Sequence, residues 1–391
     1  MLLESFVLPL AKFLSKKGCV VEFACSEYMP RGQQTRIKAI EAKGFKVRVI
    51  DFDYEVKIFR DLFAVNRIRK FFKESRYDLI HIHTSKAGVL GRLAGKLAGS
   101  SVIIYTANDF FFLDQQLTLL KRAFYLLAEK ISARFCDAIF FISRSVMDEA
   151  KKQKIKRNES LYFVGPPIQD YGSFVKDSEV VRSVRREYRV AQGELLIGCA
   201  ARFVMNKGID IFIRTAAEVV KERGFVKFIV VGDGPLFGEM QRLTKELGCE
   251  KSVIFAGFIE SSETVLGIIS SMDVFFLPTR REGFGLVYAE ALAFEIPVVG
   301  PKIAPINEFV EDGAMGVLCE SENIAEYKSA LIRLIDDEGL RNRMGKYGKT
   351  RISAKFNQTE YFERSLSLYD EVFRKRTGRD MFALHDTRGV L

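Results

Sequence analysis

The chain has 391 residues, 48% of them hydrophobic, more than one core usually serves, so two domains are expected. Its charge of +10 is uneven: residues 1–175 hold 29 Lys+Arg against 18 Asp+Glu, and residues 176–391 hold 31 against 32, so one half carries the basic excess, either as a solvated surface or facing nucleic acid, a phosphorylated substrate or an anionic membrane. No apolar run is long enough to cross a bilayer and no signal-peptide pattern opens the chain, which makes the cytoplasm the expected compartment.

In chain order, "MLLESFVLPLAKFLSKKG" has apolar residues at helical spacing and reads as a helix. A doubly wound domain normally opens with a strand. Either this fold begins differently, or the written start lies inside the gene. Apolar, β-branched strands follow at "CVVEFAC" (19–25), "KVRVI" (46–50), "DLIHIH" (78–83), "SVIIYT" (101–106), "AIFFIS" (138–143) and "LYFVG" (161–165). Amphipathic helices lie between several of them, among them "LTLLKRAFYLLAEKISARF" (117–135), which reads as a packed core helix or a membrane-touching one. Prolines and glycines break the pattern near "GPPIQDYGSF" (165–174). A second series then runs through "LLIGCAA" (195–201), "VKFIVVG" (226–232), "SVIFAGF" (252–258), "VFFLP" (274–278), "IPVVG" (296–300) and "GVLCE" (316–320). Continuous apolar strands alternating with helices predict parallel sheets covered on both faces, and two series predict two such α/β domains.

Three strand-to-helix loops carry candidate chemistry. In "PTRREGFGLVYAEALAFEIPVVG" (278–300), Gly283 and Gly285 let backbone N–H groups approach a ligand, and the helix that starts there suits phosphate. Glu282 and Glu290 are eight residues apart, about 12 Å at ~1.5 Å per helical residue. That is too far for a hydrolytic pair, which stands about 5–10 Å apart; they fit hydroxyl groups at the two ends of a diphosphate-linked ligand. In "ARFVMNKGIDIFIRTAAEVV" (201–220), Arg202 and Lys207 can neutralise a departing diphosphate. In "VVGDGPLFGEM" (230–240), Gly232 and Gly234 make a strand-to-helix turn that is not the GxGxxG dehydrogenase fingerprint. Each loop alone also reads as ordinary solvated surface.

Metal chemistry finds little support. "DFD" (Asp51–Asp53) and the alternating His81 and His83 are read as structural polar residues, because no third ligand follows. Cys19, Cys25, Cys136, Cys199, Cys249 and Cys319 show no metal-type spacing and are expected as free thiols, mostly buried.

Taken in order, "ARFVMNKGID", "VVGDGP", "PTRREGFGLVYAEALAFEIPVVG" and "NEFVEDGAMGVL", together with "YDLIHIHTSKAGVLGRLAGKLAG" (77–99), resemble the retaining glycosyltransferases of family 4 over nearly the whole chain. The resemblance implies a GT-B fold: two doubly wound Rossmann-like domains facing across a cleft, the N-terminal one lacking its first strand. It divides the chain into an acceptor-binding domain (1–168), a nucleotide-sugar-binding domain (175–355) and a helix crossing back with a tail (356–391). It implies transfer of a sugar from a nucleotide-sugar to an acceptor hydroxyl with retained configuration and no metal cofactor. Glu282 would hold donor-sugar hydroxyls. Gly283, Phe284, Gly285 and Leu286, with Gly232 and Gly234, would line the donor. Glu290 would take the ribose, and Arg202 and Lys207 the diphosphate; the role of Glu308 is open. Where many relatives have a His-Gly pair, "TANDFFF" has Asn108, which can hydrogen-bond a sugar but carries no proton as imidazole does.

The expected partners are a nucleotide-sugar and a sugar or lipid-linked acceptor of cell-surface polysaccharide synthesis. Peripheral contact with an anionic membrane at the inner face is also expected, and no nucleic acid. The competing expectation is a truncated or inactive homologue that binds nucleotide-sugar without turnover.

Overall fold

A computed structural model describes residues 7–26, 33–52, 56–166 and 174–382. The chain divides into two compact units, Met1–Gln169 with Gln358–Leu391, and Asp170–Asn357.

The first unit runs α1 (Leu8–Lys16), β1 (Glu22–Ser26), α2 (Gln33–Glu41), β2 (Lys46–Ile50), α3 (Ile58–Ser75), β3 (Leu79–His83), α4 (Ser85–Ala98), β4 (Val102–Ala107), α5 (Leu119–Ser132), β5 (Ala138–Phe141), α6 (Arg144–Lys152) and β6 (Leu161–Phe163), and closes with α14 (Gln358–Thr377). Its strands are parallel but form two sheets, β1-β2 and β3-β4-β5-β6. One edge of β1 and one edge of β3 have no partner strand among the described residues. α14 joins this unit through Phe362, stacked on Phe13 of α1 at 5.3 Å, and through Tyr369. The Tyr369 hydroxyl lies 2.6 Å from Nδ1 of His81, whose Nε2 lies 2.6 Å from Oγ1 of Thr106. Burial pushes His81 well down and His83 to about 4, so both are neutral structural side chains near pH 7. Asp51 pairs with Arg67 at 3.2 Å, and Asp53 lies outside the described residues.

The stretch 117–135 departs from a simple core helix. α5 turns Glu129 inward onto Arg92, which is fully buried: Nη1 donates to Oε1 at 2.8 Å, Nε donates to the Gly88 carbonyl at 2.7 Å, and the guanidinium lies 4.1 Å from the Tyr105 ring centroid. A buried carboxylate needs such a partner, so this pair sets the rotation of α5. The apolar residues on the opposite side consequently face solvent.

The second unit runs α7 (Ser178–Glu187), β7 (Leu195–Ala200), α8 (Ile209–Glu222), β8 (Val226–Val231), α9 (Phe237–Glu246), β9 (Val253–Gly257), α10 (Ser262–Ser270), β10 (Val274–Phe276), α11 (Leu286–Ala293), β11 (Val298–Pro301), β12 (Gly316–Cys319), α12 (Ile324–Asp336) and α13 (Glu338–Lys355). Its six strands form one parallel sheet ordered β12-β11-β10-β7-β8-β9. Chain order reverses direction between β7 and β10, and in such sheets ligands bind at this switch point, outside the carboxyl ends of the strands. The loops after β7 and β10 are therefore neighbours by topology. Val274, Phe275, Phe276, Ile197 and Ile229 are all buried, as strands covered on both faces require. All six cysteines are free thiols, four of them buried and Cys19 and Cys25 half-buried.

α13 approaches the end of α11 so closely that a Cβ on Gly345 would lie 1.9 Å from the Glu295 carbonyl oxygen. Gly345→Ala must displace one of the two, and we expect it to destabilise this unit by about 2–4 kcal/mol. A denaturant melt of the variant checks this; an unchanged midpoint would show that α13 is free to shift.

Candidate active site

The loop 201–208 follows β7 and the loop 277–285 follows β10. Backbone contacts hold them together. The Arg280 N–H donates to the Asn206 carbonyl at 2.8 Å, and the Thr279 hydroxyl donates to the same oxygen at 2.8 Å. Gly208, at φ +65°, lies where a Cβ would be 1.9 Å from the Pro278 carbonyl oxygen. Only glycine combines that conformation with that approach.

Arg280 locks the junction. It makes two 2.8 Å bonds to the two carboxylate oxygens of Asp210, a third 2.8 Å bond to the Met205 carbonyl, and a 2.6 Å bond to Glu322. Such a fork-to-carboxylate pair fixes orientation as well as distance. Burial pushes the Asp210 carboxyl up, but its hydrogen bonds to Arg280 and the adjacent guanidinium charge outweigh this and hold it below its ordinary value. Hydrogen bonding to Asp210 in turn holds Arg280 ionised above its usual range.

The junction brings Lys207 to Glu282, with Nζ donating to Oε1 at 2.6 Å. The Glu282 side chain is only 8% exposed, and that of Lys207 26%. Sequence reasoning gave these residues separate tasks, Lys207 on a diphosphate and Glu282 on a sugar; the structure makes them one ion pair. The lysine remains partly open while it orients the glutamate.

The third wall comes from the loop after β8. The Ala201 N–H donates to Val231 O at 2.9 Å, and the Phe203 N–H donates to Asp233 O at 3.0 Å. Gly232 and Gly234 face backbone here: added Cβ atoms would lie 2.0 Å from Ala201 O and 2.6 Å from Phe203 O. These two glycines let one loop pack on the other. Arg202, between those bonds, has an exposed side chain, with no hydrogen bond or ion pair among the described residues.

α11 opens at Gly285, whose φ of +90° turns the chain into the helix. The first N–H groups of a helix lack intrahelical acceptors. Phe284 contributes its ring to the core instead, stacked on Phe309 at 4.8 Å and against Phe356. Tyr288 is fully buried, and its hydroxyl donates to the Leu277 carbonyl, tying α11 to the end of β10. Gly283, Glu282 and Leu286 are half-buried residues around the turn.

Glu290 sits on α11, 4% exposed, with Oε2 buried and unpartnered among the described residues. Burial pushes its carboxyl up to about 7. A carboxylate held this way is a cost to the fold, and a hydroxyl donor would relieve it. Glu308 ends a 3-10 turn, and its carbonyl accepts from Lys355. Asn108 is half-buried beyond β4 in the first unit. Among the described residues no group of three His, Cys, Asp or Glu could hold a metal ion.

Arg280, Asp210 and Tyr288 escaped the sequence reading. Asp210 and Arg280 are seventy residues apart, and no local pattern links them. The strand before the loop was legible as "VFFLP" (274–278), but the partner of Arg280 was not.

Comparison with known proteins places this geometry. The sequence model of "Glycosyl transferases group 1" matches residues 181–351, and that of "Glycosyltransferase Family 4" matches residues 3–162. The chain is 25% identical over 336 residues to the capsular polysaccharide biosynthesis glycosyltransferase CapM of Staphylococcus aureus, covering 85% of this chain and 86% of CapM. It is 25% identical over 326 residues to the UDP-Gal:alpha-D-GlcNAc-diphosphoundecaprenol alpha-1,3-galactosyltransferase of Escherichia coli, covering 80% of each. Among solved structures, Anabaena Alr3699/HepE in complex with UDP and glucose superposes with a TM-score of 0.79 at 20% identity, over 93% of this chain and 95% of that one. Sucrose-phosphate synthase from Thermosynechococcus elongatus gives 0.76 at 18%, over 94% and 93%.

The Glu290 carboxyl generates a pH prediction. Its folded value, about 7, lies above the ordinary 4.5. The cost of ionising it is therefore absent below about pH 4.5 and complete above about pH 7. Glu290→Gln, which cannot ionise, should raise stability by about 3 kcal/mol at pH 8, with the gain vanishing toward pH 4.5. Melts across that range check it; a gain independent of pH would mean that Glu290 does not carry the proton.

Proposed function

The chain belongs to the family 4, group 1 glycosyltransferases and has their GT-B fold, and from that premise we propose that it moves a sugar from a nucleotide-sugar to an acceptor hydroxyl with the anomeric configuration retained and without a metal ion. The observation that carries the donor assignment is the unpartnered Glu290 oxygen in α11, in the same loop-to-helix segment as the Lys207–Glu282 pair. On this reading Glu290 accepts the ribose hydroxyls. The α11 N-terminus and the cations Lys207 and Arg202 receive the diphosphate. Glu282, held by Lys207, accepts hydroxyls of the transferred sugar.

In the reaction the bond from the anomeric carbon to the diphosphate oxygen breaks, the acceptor oxygen bonds to that carbon on the same face, and the acceptor's hydroxyl proton passes to the departing diphosphate. Negative charge grows on the departing diphosphate. Lys207 is held at the junction by Glu282, so it stabilises that charge with little reorganisation, and the exposed Arg202 adds a second cation. This is the task a divalent metal would otherwise perform.

The first unit, with the chain's basic excess, takes the acceptor, which we place among lipid-linked saccharides of cell-surface polysaccharide synthesis. This acceptor reading draws support from relatives such as CapM and the Escherichia coli enzyme that acts on a diphosphoundecaprenol-linked sugar.

Two outcomes test the proposal. Lys207→Ala should lower kcat by about 10²–10³ with a smaller effect on acceptor KM. Proton NMR of the first-formed product should show the donor's anomeric configuration, in buffer with EDTA. An inverted product, or activity abolished by EDTA and restored by a divalent cation, would overturn the mechanism.

A further inference from the structure

Two helices of the first unit carry large apolar side chains outward. In α5, Leu120, Phe124, Leu127 and Ile131 recur at helical spacing and form one stripe. That stripe faces outward, with Leu120 85% exposed, while the buried face holds Glu129 and Ser132. α3 differs: its buried face is apolar, with Ala64, Val65 and Ile68 packed on Leu90 and Ala94 of α4, yet its first turns also carry apolar side chains outward. Phe59, Leu62 and Phe63 are exposed, Phe59 by 80%, while Asp61 in the same turn points inward to Lys86 at 2.7 Å.

Both helices pack on α4. Its Lys86 holds the Asp61 carboxylate and its Arg92 holds that of Glu129. A buried cation left without its carboxylate is more costly than exposed leucine, so the Arg92–Glu129 pair sets the rotation of α5 and its apolar stripe goes outward. Of the nineteen large hydrophobics exposed among the described residues, five lie on α5 alone and three more on the first turns of α3, a concentration and not scattered surface.

Charge identifies what covers it. Residues 115–135 contain Lys121, Arg122, Lys130 and Arg134 and a single carboxylate, Glu129, which is buried against Arg92. The outward face of α5 thus combines an apolar stripe with cations and no accessible anion. A second copy pressed onto this face would set cation against cation. An anionic lipid surface complements both features, since acyl chains take the stripe and head groups take the cations.

We propose that α5, with the first turns of α3, seats this protein on an anionic lipid bilayer. The proposal concerns the lipid surface alone and stands whether or not the chain transfers sugar.

The absence of tryptophan gives a direct test with the full chain. Leu120→Trp places the sole indole on the stripe, and Phe225→Trp places one on the second unit as a control. With vesicles of phosphatidylcholine and phosphatidylglycerol at low salt, Leu120→Trp emission should shift to the blue and Phe225→Trp emission should not. The shift should weaken as salt is raised and with phosphatidylcholine alone. In vesicle flotation, the triple variant L120S/F124S/L127S should bind at least about tenfold more weakly while keeping its melting temperature. No shift with anionic vesicles would overturn the proposal. So would a blue shift without lipid that tracks protein concentration and a dimer in light scattering, which would assign the face to a second copy. Loss of sugar transfer in Lys207→Ala with vesicle binding intact separates this proposal from the catalytic one.

Discussion

The donor-side architecture depends on one close approach, the meeting of the loops after β7 and β10. Topology makes them neighbours, because the sheet reverses order between those strands. Gly208 lets the backbones touch, and the Arg280–Asp210 fork fixes the orientation. Lys207 and Glu282 meet only because of that junction. The residues that hold the junction together, Gly208, Arg280 and Asp210, are thus different from the pair it brings together.

The two units use buried charge in different ways. In the second unit the Glu290 carboxylate is buried with an open valence, a cost that a ligand can relieve. In the first unit the buried Arg92–Glu129 and the half-buried Lys86–Asp61 are ion pairs between helices. Arg92–Glu129 decides which side of α5 faces out. Polar satisfaction here outranks hydrophobic patterning, since an unpaired buried charge costs more than an exposed leucine recovers.

Much of this was legible in the sequence, for identifiable reasons. The parallel strands of both units announce themselves as continuous apolar runs, and each predicted strand lies within a few residues of an observed one. The glycines at 232, 234, 283 and 285 mark loops where backbone must approach backbone or ligand. Periodicity could not orient α5: it detects an apolar stripe but not which neighbour faces it, and here Arg92, thirty-seven residues from Glu129 in sequence, decides. Nor could it show that Lys207 contacts Glu282, because that contact joins residues seventy-five apart.

The central claim is that the second unit binds a nucleoside diphosphate through Glu290 and Lys207. The most direct measurement is the melting temperature of the full chain at neutral pH, alone and with UDP, GDP or ADP. A ligand bound only by the folded state stabilises it by about 2.7 kcal/mol at a hundredfold excess over Kd. The account predicts a rise with at least one nucleotide that is lost in Glu290→Ala and reduced in Lys207→Ala. A cooperative melt that none of the three nucleotides moves, or a rise that persists in both variants, would contradict it.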